Sequence, residues 1–151
     1  ILNLSDIKIS KMNIDDLNII KNNLLTDFDN FWTFDILKNE LESKNSLYFV
    51  AKLNDEIIGF AGIKIILDEC ELMNIVTKKS YRKNGIGNLL LNSIINEARK
   101  LKLIKINLEV SNTNLTAINL YEKTGFTKVG LRNKYYNNEN SAILMSLNLC
   151  N

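Results

Sequence analysis

The sequence has 151 residues, the size of one ordinary domain and too short for two. It contains no histidine, which excludes a Ser-His-Asp or Cys-His nucleophile, a histidine-ligated zinc ion and a histidine pH switch. With 19 Lys and Arg against 17 Asp and Glu, the formal net charge is only +2, and 46% of the residues are apolar. This balance is typical of a soluble globular protein and not of a general nucleic-acid binder.

The cysteines and the apolar runs give further exclusions. Cys70 and Cys150 stand far apart with no CxxC pair, so neither a metal ribbon nor a disulfide framework is predicted, and a reducing cytoplasm is the expected compartment. No apolar run approaches the ~20 residues that span a bilayer, and the start of the chain lacks the basic-then-apolar order of a signal peptide. We therefore expect a single domain over residues 1–151, with no metal, no membrane and no direct nucleic-acid partner.

The first half of the chain predicts a strand, two helices and three more strands. Apolar and polar residues alternate over 7–11, and apolar residues at helical spacing predict a helix over 15–25 with Asn13 as its N-cap. Thr33 is predicted to cap a second helix that runs to Leu41. The next strands are expected over 47–53, 56–67 and 72–77, with a tight turn at Asn54-Asp55 and an acidic turn at Asp68, Glu69 and Glu71.

The second half alternates strands and helices. The strongest helix follows Gly87, where a stripe of apolar residues recurs every 3.6 residues, and a strand over 104–110 comes next. In that strand Glu109 lies on the face opposite the aliphatic row. A short helix over 116–123 ends at Gly125, and closing strands over 128–136 and 141–149 flank a turn. This order predicts an α/β domain with a mixed sheet.

A glycine-containing turn precedes the strongest helix. Gly85 and Gly87 allow close approach of the backbone to a ligand, and the helix start adds a partial positive charge, so phosphate is the natural occupant. Four cations lie within this turn and favour a polyphosphate: Lys78, Lys79, Arg82 and Lys83. Taken alone, the glycines are better explained by a plain surface turn with solvated lysines. The Walker and dinucleotide-binding glycine patterns are both absent.

The context of this turn resembles a known family. Residues 82–87, RKNGIG, fit the [QR]-x-x-G-x-[GA] pattern of the Gcn5-related N-acetyltransferases (GNAT), placed between a fourth strand and a third helix. Segments 66–77, 108–126 and 133–147 are similar to the corresponding blocks of RimI-type ribosomal-protein alanine N-acetyltransferases. The resemblance extends from Ile7 to Leu147. It implies the GNAT fold, an α/β fold with a mixed sheet of seven or so strands, splayed between the fourth and fifth, and some four helices.

The resemblance also implies a cosubstrate and its contacts. Acetyl-CoA would lie in the splay, where the backbone of Ile75, Val76 and Thr77 would pair with the pantetheine arm and polarise the thioester carbonyl. Asn114 matches a family asparagine that hydrogen-bonds the cofactor near its reactive end. The pyrophosphate would be held by the turn that comprises Lys83, Asn84, Gly85, Ile86, Gly87 and Asn88.

Acyl transfer to an amine needs a base for the amine and an acid for the departing thiolate. Without histidine, a carboxylate is the expected base, and the resemblance places it at Glu109. The resemblance places the acid at Tyr121, a phenol with a pKa of ~10 facing a thiol with a pKa near ~8.5. Without the family match, Glu109 would be interpreted as a solvated strand residue and Tyr121 as a core residue.

The implied reaction moves acetyl from acetyl-CoA to the N-terminal alanine of a small-subunit ribosomal protein, by direct attack in a ternary complex. An α-amine suits this chemistry because its pKa of ~7.7 to 8.0 lies well below the ~10.4 of a lysine side chain. The alternatives are acetylation of another protein N-terminus or a small amine, and a catalytically silent acyl-CoA sensor.

The acceptor side carries weaker signals. The acidic group, Asp68, Glu69 and Glu71, could attract a cationic amino terminus. Tyr135 and Tyr136 could line the peptide groove as a similar pair does in the family. One departure from the family pattern is Phe31-Trp32-Thr33, which stands where the family has Pro-Trp-Ser. Cys70 is expected to be a small buried thiol.

Overall fold

A computed structural model of the chain describes residues 2–28, 32–133 and 141–150. In chain order the elements are β1 (Ile7–Lys11), α1 (Ile14–Ile20), α2 (Phe34–Glu42), β2 (Ser46–Leu53), β3 (Glu56–Ile66), β4 (Glu69–Thr77), α3 (Ile86–Lys100), β5 (Lys105–Ser111), α4 (Leu115–Thr124), β6 (Thr127–Asn133) and β7 (Ser141–Asn148).

The strands form one seven-stranded sheet in the order β1-β2-β3-β4-β5-β7-β6. Neighbouring strands are antiparallel except β4 and β5, which run parallel. The β4–β5 pairing is short, because it joins only Glu69, Cys70 and Glu71 to Lys105, Ile106 and Asn107. Beyond these pairs the two strands separate, which confirms the predicted GNAT fold with its splay between the fourth and fifth strands.

Helices cover the sheet on two faces. α3 and α4 pack on one face, where the predicted stripe of α3 is buried, including Leu90, Leu91, Ile94 and Ala98 at 0% exposure. α1 and α2 pack on the other face, over the half of the sheet that contains β2 and β3, through buried residues such as Leu17 and Leu37. Burial of a large apolar side chain stabilises the fold by ~1.5 to 3 kcal/mol, so the two apolar layers fix the positions of the strands.

Local signals at the helix ends behave as the sequence predicts. Asn13 and Asp16 form a reciprocal capping box at the start of α1, and Thr33 Oγ1 accepts a hydrogen bond from the Ile36 N–H at the start of α2. Gly125 ends α4 with φ 111°, a left-handed conformation that favours glycine. Of the helices that the structure describes, none has the length and apolar character needed to cross a bilayer.

Three predicted boundaries need correction. α1 ends at Ile20 and continues as a 3-10 turn over Lys21–Asn23. α3 begins at Ile86, one residue before Gly87, because Gly85 is its N-cap. β4 begins at Glu69, so Glu69 and Glu71 belong to the strand and not to a turn. The predicted turn over 137–140 lies outside the described residues.

Candidate active site

The gap between β4 and β5 is shaped by a β-bulge in β4. Gly62 of β3 pairs with Asn74 while Ile63 pairs with Leu72, so Met73 is left without a partner in β3. A bulge of this kind re-aims the side chains that follow it and is frequent beside active sites. Ile75 packs on the α3 side of the sheet, and Val76 packs on the α1 and α2 side.

Backbone groups of β4 face the gap at alternate residues. The Lys78 N–H, directly after β4, donates to the carbonyl of Ile58 on β3 at 2.8 Å. Successive N–H groups of an extended strand point in opposite directions, so the Val76 N–H also faces β3 while those of Ile75 and Thr77 face the gap. Of the three residues predicted to pair with pantetheine, Ile75 and Thr77 therefore remain candidates for backbone hydrogen bonds to it. Val76 has its N–H toward β3, and its side chain is half-buried.

The turn after β4 leaves unpaired N–H groups at the start of α3. Lys83 and Gly85 adopt positive φ angles of 66° and 85°. The first hydrogen bond of α3 joins the Leu89 N–H to the Gly85 carbonyl at 3.1 Å, and no side chain caps this end. Among the described hydrogen bonds none uses the N–H groups that precede Leu89, those of Ile86, Gly87 and Asn88. These donors and the helix dipole fit a pyrophosphate.

One cation of this turn, Lys78, is paired with a carboxylate. Lys78 Nζ lies 2.8 Å from Glu56 Oε2, and the Tyr81 hydroxyl donates to Glu56 Oε1 at 3.0 Å. The hydrogen bond between Lys78 and Glu56 lowers the pKa of Glu56 and raises the pKa of Lys78. Because Glu56 balances the charge of Lys78, this lysine adds less positive charge at the turn than the cluster of four cations in the sequence suggests.

The side chains of Asn84 and Asn114 both hydrogen-bond to nearby backbone groups, which the sequence pattern did not reveal. The Asn84 side-chain amide donates to the carbonyls of Tyr81 and Arg82, both at 3.0 Å, and so holds the turn together. Asn114 is the N-cap of α4, and its Oδ1 accepts from the Ala117 N–H at 3.2 Å. Any contact of Asn84 with a ligand would use its backbone, and Asn114 could offer its amide N–H groups.

Glu109 and Tyr121 lie on opposite faces of the sheet, and Glu109 is on the part of β5 that no longer pairs with β4. The neighbours of Glu109, Leu108 and Val110, are buried on the α3 and α4 side, so Glu109 faces the other side. Tyr121 on α4 is 6% exposed and packs against Phe126 with ring centroids 5.6 Å apart. Burial raises the pKa of Tyr121 to about 12, so the phenol is protonated throughout the neutral range.

The acidic group lies at the paired end of β4, whereas the glycine turn follows the opposite end at Thr77. Asn107 Nδ2 donates to Glu69 Oε1 at 2.7 Å, and the Ser146 hydroxyl donates to Asn107 Oδ1 at 2.6 Å. The group lines a cavity of about 310 Å³ beside the buried Cys70, and burial raises the pKa of this thiol to about 12. Tyr135 and Tyr136 lie outside the described residues, as does Phe31.

Sequence reasoning missed one polar pair beside the gap. Asn74 of β4 donates to the hydroxyl of Tyr48 on β2 at 3.1 Å, and burial raises the pKa of Tyr48 to about 12. The Tyr48 ring occupies the space in which a residue other than glycine at position 62 of β3 would place its Cβ. The two residues are 26 positions apart, so no local motif could have indicated the pair. No three Cys, Asp or Glu side chains within residues 2–28, 32–133 and 141–150 are grouped to hold a metal ion.

A parallel strand pair that separates toward an uncapped helix start, with a carboxylate and a buried phenol on its two sides, is the arrangement of an acyl-CoA-dependent transferase. Residues 17–126 match the model of the Acetyltransferase (GNAT) family, and the chain belongs to this family. It is 39% identical over 107 residues to the ribosomal protein bS18-alanine N-acetyltransferase of Haemophilus influenzae, with 70% of each chain covered.

Solved structures agree with this assignment. The crystal structure of the ribosomal-protein-S18-alanine N-acetyltransferase from Escherichia coli has a TM-score of 0.84 and 29% identity, covering 95% of this chain and 94% of that one. An acetyltransferase from Bacillus anthracis in complex with acetyl coenzyme A has a TM-score of 0.67 and 29% identity, over 74% of this chain and 66% of that one. The family and fold expected from the RKNGIG turn are thereby confirmed.

Proposed function

We propose that the chain transfers the acetyl group of acetyl-CoA to the α-amine of the N-terminal alanine of a small-subunit ribosomal protein, in the cytoplasm. The observation that carries the proposal is the β4–β5 gap, which leads to the uncapped start of α3, with Glu109 and Tyr121 on the two faces of the sheet. The relatives named bS18-alanine N-acetyltransferases support the choice of acceptor.

The residues that would hold acetyl-CoA follow the gap from one end to the other. The N–H groups of Ile86, Gly87 and Asn88 would donate to the pyrophosphate, and the exposed Lys83 would add a positive charge. The backbone of Ile75 and Thr77 would pair with the pantetheine arm, and one N–H aimed at the thioester oxygen is worth roughly 3 kcal/mol in comparable sites. Bound acetyl-CoA supplies the activated acetyl group.

The protein supplies the proton transfers. Glu109 lies on the face that bears no α3 or α4 helix, where it can accept the proton of the attacking amine directly or through water. Tyr121 lies on the α4 side and keeps its proton at neutral pH, so it can donate to the departing sulfur. The amine would therefore arrive from one side of the sheet and the sulfur would leave toward the other.

The decisive experiment compares CoA release with four acceptors: none, an Ala-starting peptide with a ribosomal-protein sequence, the same peptide blocked by N-acetylation, and spermidine. We expect release with the free peptide only, and mass spectrometry should place one acetyl group on its α-amine. Faster turnover of spermidine would overturn the assignment of the acceptor. Binding of acetyl-CoA without turnover of any amine would identify a sensor and overturn the enzymatic proposal.

A further inference from the structure

Glu109 has an ion-pair partner that neither the motifs nor the family resemblance indicated. Arg132 Nε on β6 lies 3.3 Å from Glu109 Oε1 on β5. The two strands are not neighbours, because β7 lies between them. Within the part of the chain that the structure describes, Arg132 is thus the cation in contact with Glu109, the candidate base.

The sheet register explains how Arg132 reaches across β7. Glu109 pairs with Leu144 of β7, and Leu144 pairs with Gly130 of β6. Gly130 has no side chain, and the Leu144 side chain lies against its position, so no β6 side chain stands directly in line with Glu109. Arg132 lies two residues further along β6, opposite the small residue Ala142, from where a long side chain reaches the diagonal position.

The pair is too exposed to be explained by stability. The side chains of Arg132 and Glu109 are 66% and 34% exposed, and ion pairs of this kind contribute little to folding. The other charged groups on this face of β4 and β5 are Glu69, Glu71 and Lys105, and the described part of β7 presents none there. Lys64 of β3 pairs with Glu71 and also lies on this face, 3.8 Å from Glu40. Without Arg132, β4 and β5 themselves would present three carboxylates and a single lysine to an incoming amine.

We propose that Arg132 is a positioning residue that balances the charge of Glu109, so that the acceptor amine binds in its neutral, nucleophilic form. The proposal rests on the proposed acetyltransferase function. An unbalanced carboxylate would hold the acceptor as an ammonium ion, which cannot attack. A guanidinium beside the carboxylate disfavours the ammonium form, and a unit charge about 5 Å away at a partly exposed site shifts an amine pKa by roughly 0.5 to 1 unit.

The test uses Arg132→Gln, with Arg132→Lys as the charge-conserving variant. Lys128→Gln is the matched control, because Lys128 is an exposed cation on the same strand but pairs with Met145, which faces the α3 and α4 layer. The pH profile of kcat reports groups in the enzyme–substrate complex, whereas that of kcat/KM reports the free species. We expect Arg132→Gln to move the acid limb of kcat for the Ala peptide upward by roughly 0.5 to 1 pH unit. The limb of kcat/KM, the KM for acetyl-CoA and the melting temperature should not change, and the Lys variant and the control should behave as wild type.

A binding measurement separates charge from contact. Near about pH 6, where the peptide amine is an ammonium ion, Arg132→Gln with CoA bound should hold the free peptide three- to tenfold more tightly than wild type, by a calculation from the same shift. The N-acetylated peptide should bind both proteins equally. An unchanged kcat limb, or a raised peptide KM with an unchanged limb, would overturn the inference and assign Arg132 a direct contact with the acceptor. Absence of wild-type turnover would overturn the proposed function, and this inference with it.

Discussion

Replacement of Tyr121 by phenylalanine removes one oxygen from a residue that is 6% exposed and whose ring packs against Phe126. No described hydrogen bond uses the Tyr121 hydroxyl, so Tyr121→Phe leaves no protein partner unpaired and should retain the fold at neutral pH. If Tyr121 protonates the departing sulfur, the variant should lose roughly 10²- to 10⁴-fold in kcat, the usual contribution of a general acid.

The same substitution should change the alkaline stability of the protein. The pKa of Tyr121 in the folded protein is about 12, above the ~10 of an unfolded chain. The stabilisation from this protonated phenol is complete below about pH 10 and is lost as the pH rises toward 12, because the unfolded chain then ionises first. Two pKa units correspond to about 3 kcal/mol. Tyr48 has a similarly raised pKa, so the Tyr121 contribution is the difference between wild type and variant.

Two assays check this reasoning. Steady-state kinetics with the Ala peptide should give a reduced kcat and an unchanged KM for acetyl-CoA. Urea unfolding between pH 8 and 11.5 should show that wild type loses more stability than Tyr121→Phe, by up to about 2 kcal/mol at the alkaline end, where the loss is not yet complete. An unchanged kcat would remove Tyr121 from the mechanism, and parallel stability profiles would refute the desolvation of its hydroxyl.

Three further substitutions test the fold around the site. Gly85→Ala places a Cβ at φ 85° and should cost ~1 kcal/mol and raise the KM for acetyl-CoA several-fold, measured by thermal melting and by cosubstrate titration. A modified KM for the peptide alone would contradict the assigned pyrophosphate role. Gly62→Ala would drive a Cβ into the Tyr48 ring and should lower stability by ~1 to 3 kcal/mol in urea unfolding. Asn13→Ala removes the capping box and should cost ~1 kcal/mol with kinetic constants unchanged; altered kinetics would show that α1 is coupled to the site.

The elements that sequence predicted well are those whose signals are local. The cap at Thr33, the stripe of α3 and the end of α4 at Gly125 each depend on residues within a few turns of helix. The start of β4 was predicted too late because Glu69 and Glu71 are locally typical of a turn. In the folded protein, Cys70 between them is buried at 1% exposure, and pairing with both β3 and β5 outweighs the local preference.

In the candidate site, too, the features that depend on neighbouring residues could be predicted and those that depend on distant residues could not. The glycine turn and its helix start are contiguous, so a short motif predicts them. The partners that tune the site are distant in sequence: Glu56 for Lys78 and Tyr48 for Asn74 are 22 and 26 positions away. Such pairs depend on sheet register, and no spacing rule within one sequence reveals them. The spacing of the four cations in the sequence therefore did not reveal that one of them, Lys78, is paired with Glu56.

The absence of histidine has a structural consequence for the chemistry. An imidazole can accept one proton and release another from a single position, whereas a carboxylate and a phenol must work from separate environments. The sheet provides these environments on its two sides. Glu109 is solvent-accessible and beside a guanidinium, while Tyr121 is buried on the α3 and α4 side and retains its proton. In the proposed mechanism, the early end of the β4–β5 pairing would connect the two sides and let one acyl transfer use both groups.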